Sequence, residues 1–239
     1  MQTTPRFQNL PPAHEIWTKA GPIESSAFDE MELRKIEERR QAEIGEPGAL
    51  GLFGFAVGTT VLGFVISGLV APTAVMGAVP AVLVLAGIAQ FVAGLYALAK
   101  GNTFTGTFFS SYGAFYALLA TFFWMERGAL VGATASDGVL LGVSLFCFGY
   151  ISLVMGIAAM RTNPTYVAIL WSLVPAYVLT GVSSVGGPAV IGYIGGWFLF
   201  LAAICAFYGA TALVINSAHE RDVLALGTFG DRDARRAAR

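Results

Sequence analysis

Along GNTFTGTFFSSYGAFY, residues 101–116, hydroxyls and small residues alternate with aromatics. A polar hinge, Gly101-Asn102-Thr103, is followed by Thr107, Ser110, Ser111, Tyr112, Gly113 and Tyr116. Neighbouring apolar runs add Thr59, Thr60, Gln90 and Ser172. These groups donate and accept hydrogen bonds but carry no charge at neutral pH. Their chemistry is that of a stand-in for water around a small polar or weakly acidic solute. Two roles fit: hydrogen bonding between helices, and lining a path through protein where lipid is excluded. Gln90 is the most telling of them, because an amide inside an apolar run must find a partner.

The ionisable residues sharpen this reading by where they are missing. No Asp, Glu, Lys, Arg or His falls inside an apolar run. Pumps and coupled transporters commonly place such groups there as relays or ion sites. An enzyme needs an acid, a base or a metal ligand in its site. A rhomboid-like protease would need a histidine beside its serine, and a formate-channel-like protein an intramembrane histidine. An aquaporin would show two Asn-Pro-Ala boxes, whereas Asn163-Pro164 is the only Asn-Pro here. His14 and His219 both lie in the tails, so no metal centre and no catalytic set is expected. Cys147 and Cys205 sit in apolar runs and read as small hydrophobes. No basic stripe interleaved with aromatics speaks for nucleic acid. The chain is therefore expected to be neither an enzyme nor a cofactor carrier.

The elements that must position these residues follow from hydropathy. Of 239 residues, 56% are hydrophobic and 12% charged, about half the charge of an average soluble domain. Mean hydropathy is +0.68. Of fourteen Lys and Arg, six precede Leu50, five follow Asn216, and only Lys100, Arg127 and Arg161 lie between. The fold class expected is all-α: a polytopic membrane protein with six transmembrane helices, each needing about 20 apolar residues. The spans are read as Leu50–Val70, Val79–Ala99, Phe104–Met125, Val139–Met160, Thr165–Val182 and Ala189–Ile215. The fifth is the shortest of these and holds Pro175. Six spans place both tails, Lys100 and Arg161 on one side, with thirteen of the fourteen basic residues. The positive-inside rule makes that side cytoplasmic.

Residues 1–45 read as a cytoplasmic N-terminal tail with no basic-then-apolar leader. Within it, Ser25–Ile44 reads as a short charged helix with Glu30 and Arg34 at i,i+4 spacing. Residues 46–217 form the transmembrane domain, and 218–239 a second cytoplasmic tail. Gly54/Gly58, Gly138/Gly142 and Gly192/Gly196 stand at GxxxG spacing, which favours close helix packing.

Three blocks resemble a known family, the acetate uptake transporters (the succinate–acetate permease family). The first is Gly87-Ile88-Ala89-Gln90 with Phe91, Ala93, Gly94 and Leu95, then GNTF at Gly101–Phe104 and Ser111-Tyr112-Gly113. The second is PGALGLFGFAVGTT, Pro47–Thr60, similar to the family's NPAPLGL box and the segment after it. The third runs from Gly196-Trp197 through Tyr208 to Asn216 and Val223–Gly227. This chain departs from the family pattern at Glu46, where the box begins with Asn, and at Ala49, where it has Pro. Leu213 and Ser217 stand where the family carries glutamates. The resemblance implies a six-helix protomer, a homo-hexamer in the cell membrane, and a separate path in each protomer for acetate, related monocarboxylates or succinate. It implies proton-linked or channel-like transport. The family's hydrophobic constriction carries over to Phe55, Tyr112 and Leu173, and its substrate-path element to Asn102 and Thr103. With Thr59, Thr60, Gln90 and Ser111, these complete the expected substrate-binding set. The alternatives are a membrane scaffold or sensor acting through its tails, and an exporter of acetate or ammonia.

Overall fold

The computed structural model describes residues 45–127 and 135–226, together with Glu32, Arg34 and Lys35. Those three positions are helical. The rest of the helix expected over Ser25–Ile44, the segment 1–24 and the tail from Gly227 onward lie outside the described residues. The chain divides into two units, Met1–Gly45 and Glu46–Arg239. The second contains six helices long and apolar enough to cross a membrane. We number them α1 (Gly48–Ile66), α2 (Pro72–Ala99), α3 (Thr103–Arg127), α4 (Ala135–Ala159), α5 (Pro164–Ser184) and α6 (Ala189–His219). The protein is a polytopic all-α membrane protein. Large apolar side chains are exposed on all six helices, with Leu140, Tyr150 and Ile204 each about two-thirds exposed at 65%, 68% and 65%. Such a surface is stable only in hydrocarbon.

Local chemistry sets the helix ends. Ser67 closes α1, and Gly68 turns the chain at φ +75°, so this span stops at Ile66 rather than running to Val70. Gly101 does the same after α2 at φ +76°; the Gly101 and Asn102 N–H groups donate to the Leu98 and Ala97 carbonyls at 2.9 Å each. The Asn102 Oδ1 then caps α3 by accepting from the Thr105 N–H at 3.0 Å. Asn163 caps α5 in the same way, accepting from the Thr165 N–H at 2.7 Å, with Pro164 at the first helical position.

Two further expectations need correcting. The fifth span is not the shortest: α5 has 21 residues and α1 has 19. The helix continues past Val182 through Ser183 and Ser184, where the Ser184 hydroxyl bonds the Thr180 carbonyl at 2.9 Å. The second span begins earlier than Val79 and is composite: a 3₁₀ turn at Pro72–Ala74, α-helix over Val75–Ala81, π-helix over Val82–Ala89, then α-helix over Gln90–Ala99. Pro80, lacking an N–H, lies just before the π segment.

Sequence neighbours α1–α2, α2–α3, α4–α5 and α5–α6 pack together, and α1 packs on α6 to join the two halves. The glycine pairs sit at these seams. A methyl on Gly54 would strike the Leu85 carbonyl, and one on Gly58 the Ala86 side chain. On Gly138 it would lie 2.7 Å from the Ser184 carbonyl oxygen, and on Gly192 2.8 Å from the Ser183 hydroxyl. Close helix packing is therefore what these spacings encode.

Candidate functional site

α3 organises the interior. Phe108, Tyr112 and Tyr116 recur every four residues, so they share one face, and all three are fully buried. Phe109 and Phe115 widen that face. Ring contacts then run through the bundle. Tyr166 of α5 meets Phe104 and Phe108 with centroids 5.6 Å apart in each case. Phe108 meets Tyr112 at 4.8 Å, and Tyr112 meets Phe148 of α4 edge-on at 5.7 Å. Phe148 stacks on Phe115 at 3.8 Å, and Phe115 meets Tyr177 of α5 edge-on at 5.4 Å. Four of these six contacts are near-perpendicular, the geometry aromatic quadrupoles favour.

The three expected constriction residues are all buried to 0% exposure, one each on α1, α3 and α5. Phe108 bridges two of them: its ring lies 6.3 Å from Phe55 and 4.8 Å from Tyr112. Phe55 also meets Tyr116 edge-on at 5.8 Å. Leu173 lies one turn before Tyr177, whose ring is 6.4 Å from that of Tyr112. The three side chains thus enter one closed apolar plug from three helices. Toward the far ends of α1, α3 and α5 lies a cavity of about 20 Å³, lined by Leu62, Leu119, Leu145, Tyr177, Thr180 and Leu199 among others. That is room for about one water.

The polar residues fall into three groups. Most hydroxyls are spent on protein. Thr59 Oγ1 and the Tyr116 hydroxyl share a hydrogen bond of 2.7 Å. Thr60 and Ser172 donate to the carbonyls of Ala56 and Ala168, four residues back, at 2.7 Å each. Ser111 does the same to Thr107. The Tyr112 hydroxyl lies 2.6 Å from Ser152 Oγ, and Ser152 donates to the Phe148 carbonyl at 2.7 Å. Asn102 and Thr103 form a second group at the bundle end. Both are exposed, with Asn102 acting as the α3 cap. At that end Lys100 Nζ lies 3.6 Å from Glu46 Oε2, and Glu46 Oε1 accepts from the Gly48 N–H at 3.0 Å.

The third group holds buried polar atoms without a hydrogen-bond partner: the Ser110, Tyr177 and Thr180 hydroxyls and, with both of its polar atoms, Gln90. Gln90 is 0% exposed, and neither its amide oxygen nor its amide nitrogen has a protein partner. It lies on the buried stripe Ala86, Gln90, Ala93, Ala97 of α2. Its level in the bundle follows from two glycines. A methyl on Gly54, next to Phe55, would be 3.6 Å from the Gln90 backbone nitrogen. A methyl on Gly113, next to Tyr112, would be 2.6 Å from the Phe91 nitrogen. Gln90 therefore leaves α2 at the height of Phe55 and Tyr112. It follows directly on the π-helical segment, a distortion common at functional sites.

With that geometry in hand, comparison with known proteins decides the family. Residues 30–224 match the GPR1/FUN34/yaaH family. The chain belongs to this family. The succinate-acetate/proton symporter SatP of Escherichia coli is 31% identical over 185 residues, covering 77% of this chain and 96% of that protein. Acetate permease A of Emericella nidulans is 27% identical over 210 residues, covering 82% of this chain and 69% of that protein. Among solved structures, the bacterial acetate channel SatP superposes with a TM-score of 0.71 at 30% identity, covering 77% of this chain and all of that one. The resemblance drawn from the three sequence blocks holds.

For this member of the GPR1/FUN34/yaaH family, sequence reasoning missed Phe108, Phe148, Ser152 and Tyr177. Each had a faint signal. Phe108 precedes Tyr112 by four residues, Tyr177 follows Leu173 by four, and Phe148 and Ser152 are four apart. That spacing places each pair on one helix face. Which face turns inward is decided only by the assembled bundle.

Proposed function

We propose that this protein carries acetate and related short monocarboxylates, or succinate, across the cell membrane. The route we propose runs through each protomer of a homo-hexamer, with both termini cytoplasmic. The solute passes from the Asn102–Thr103 end toward the opposite face through a neck made by Phe55, Tyr112 and Leu173. The observation that carries this reading is the pairing of that sealed aromatic neck with one buried, unpartnered amide, Gln90, at the same height. A plug built only for packing gains nothing from an amide whose two polar atoms are left without protein partners. An amide can donate to a carboxylate oxygen and accept from a carboxylic acid proton, so it serves either form of the solute. Relatives named for acetate and succinate transport support the choice of solute.

The transport reading also assigns the proton. Among the described residues no Asp, Glu, Lys, Arg or His is buried beside the neck. A co-transported proton therefore travels on the solute, and no protein cofactor is called for. The test is uptake of labelled acetate by proteoliposomes holding only this protein, at acidic and neutral outside pH, with and without an imposed voltage. Saturable uptake that rises at acidic pH and ignores voltage is expected. Voltage-driven uptake would mean that the bare anion crosses and would sink the solute-borne proton. Uptake no greater than in empty liposomes, with folded protein, would sink the transport reading and favour a scaffold acting through its tails.

A further inference from the structure

We infer that Ser152 is the latch that holds the Tyr112 neck shut, acting as a positioning residue from α4. The inference rests on the proposed path through Phe55, Tyr112 and Leu173. Its geometry is a two-bond relay inside the bundle. Ser152 is fully buried, and its single proton goes to the Phe148 carbonyl oxygen at 2.7 Å. A serine hydroxyl has one proton and two lone pairs. In the 2.6 Å contact with Tyr112 the tyrosine must therefore be the donor. The polarity of the pair is fixed, and the Tyr112 proton is spent on α4.

The same turn of α4 also grips the ring. Phe148, one turn before Ser152, meets Tyr112 edge-on at 5.7 Å. Hydrogen bond and ring contact together hold both ends of the Tyr112 side chain from one helix. α4 packs mainly against α5, not α3, so this grip is one of the few ties between α4 and α3. Tyr116, one turn further along α3, is tied the other way, to Thr59 of α1. Two tyrosines one turn apart thus anchor α3 to opposite sides of the bundle, and only the α4 anchor involves the neck residue itself. For a carboxylic acid to pass, the Tyr112 ring must swing aside, and the bond to Ser152 must break. Removing that bond destabilises the closed neck and raises the fraction of time it is open.

The experiment is a double-mutant cycle on acetate uptake in proteoliposomes of the full chain, with Ser152→Ala, Tyr112→Phe, the double variant, Ser152→Thr and Phe55→Ala. Each of the first two removes the same hydrogen bond. Both are expected to raise the initial rate by about threefold to tenfold, the worth of one buried hydrogen bond. The double variant should be no faster than either single. Ser152→Thr keeps the hydroxyl and should return the rate to that of the unaltered protein, which a merely space-filling role would not predict. If Ser152→Ala slows uptake or leaves it unchanged while Phe55→Ala alters it, the latch is wrong and the neck stands. If the two single effects multiply in the double variant, the residues act independently and the latch is also wrong. If none of the variants changes uptake, the neck itself is misplaced and the latch falls with it.

Discussion

Gln90→Leu separates a transport site from a packing contact because the two predict opposite signs. Leucine has nearly the same volume as glutamine and carries no polar atoms. At present both amide atoms of Gln90 are buried without a protein partner. Each such group costs about 1–3 kcal/mol when left unpaired in an apolar interior. Fitting the branched side chain costs up to about 1.5 kcal/mol. The balance favours the variant by about 2 kcal/mol. For a chain of this size that is roughly 4–8 °C in melting temperature. Transport should move the other way. A carboxyl group reaching the neck would shed water with no amide to meet it. Losing one hydrogen bond to a charged or acidic group costs about 1.5–3 kcal/mol, or roughly tenfold to a hundredfold in uptake. The assay is a thermal melt of purified protein in detergent beside acetate uptake in proteoliposomes. A variant that melts lower and transports normally would refute the argument, because Gln90 would then be an interhelical tie whose partner is made in the membrane.

Three further outcomes follow from the same geometry. Phe55→Ala removes a fully buried ring that touches Phe108 and Tyr116. It should cost about 3–5 kcal/mol in stability and admit longer acids such as butyrate, read as the ratio of butyrate to acetate uptake. Gly113→Ala places a methyl 2.6 Å from the Phe91 nitrogen and 2.8 Å from the Gly87 oxygen, both backbone atoms that cannot step aside. It should cost at least about 1–3 kcal/mol and lower the melting temperature, whereas Gly77→Ala, which meets nothing within 4 Å, should not. Asn216→Ala removes the side chain that accepts from the Val223 and Leu224 N–H groups at 2.9 and 2.8 Å and donates to the Leu224 carbonyl at 2.8 Å. It should release residues 221–226 to protease or hydrogen exchange while leaving acetate uptake intact.

The six spans were legible because hydropathy and charge are one-dimensional properties. Lys100, Arg161 and the charged tails mark where the chain leaves the apolar runs. What happens inside a run was not. Val82–Ala89 is apolar on every face, so no periodicity in VLVLAGIA distinguishes a π-helix from an α-helix. The early end of α1 was hidden for a related reason: Leu69 and Val70 continue the hydrophobic pattern, and only the left-handed Gly68 ends the helix. The same holds for the polar residues. Types and spacing singled out Thr59, Thr60, Gln90, Ser111 and Tyr112. Whether a hydroxyl is spent or free depends on tertiary partners: Thr60 and Ser111 turn back on their own helix, Thr59 meets Tyr116, and Gln90 meets no protein group. Ser152 was overlooked in the run ISLVMG because a lone serine there looks like any small packing residue.

This distribution of polarity bears on how a proton could be coupled at all. The charged pair Glu46–Lys100 sits at the bundle end, 3.6 Å apart and partly exposed, so its two charges largely cancel where the solute would arrive. Beyond it the plug offers aromatic faces, an aliphatic Leu173, hydroxyls mostly committed to neighbours, the unpartnered Tyr177 hydroxyl, and one amide. A bare carboxylate entering that plug would give up its hydration for one amide and a few neutral hydroxyls, and an unpaired buried charge costs many times what one hydrogen bond returns. The neutral acid gives up far less and matches both ends of the Gln90 amide. On the proposed reading, selection is therefore made by protonation before the neck: as outside pH falls toward the carboxylic acid range near 4–5, more solute is in the form the plug can accept. Coupling then needs no titrating residue in the protein, consistent with a relative named as a proton symporter and with no Asp, Glu, Lys, Arg or His buried beside the neck among the described residues here.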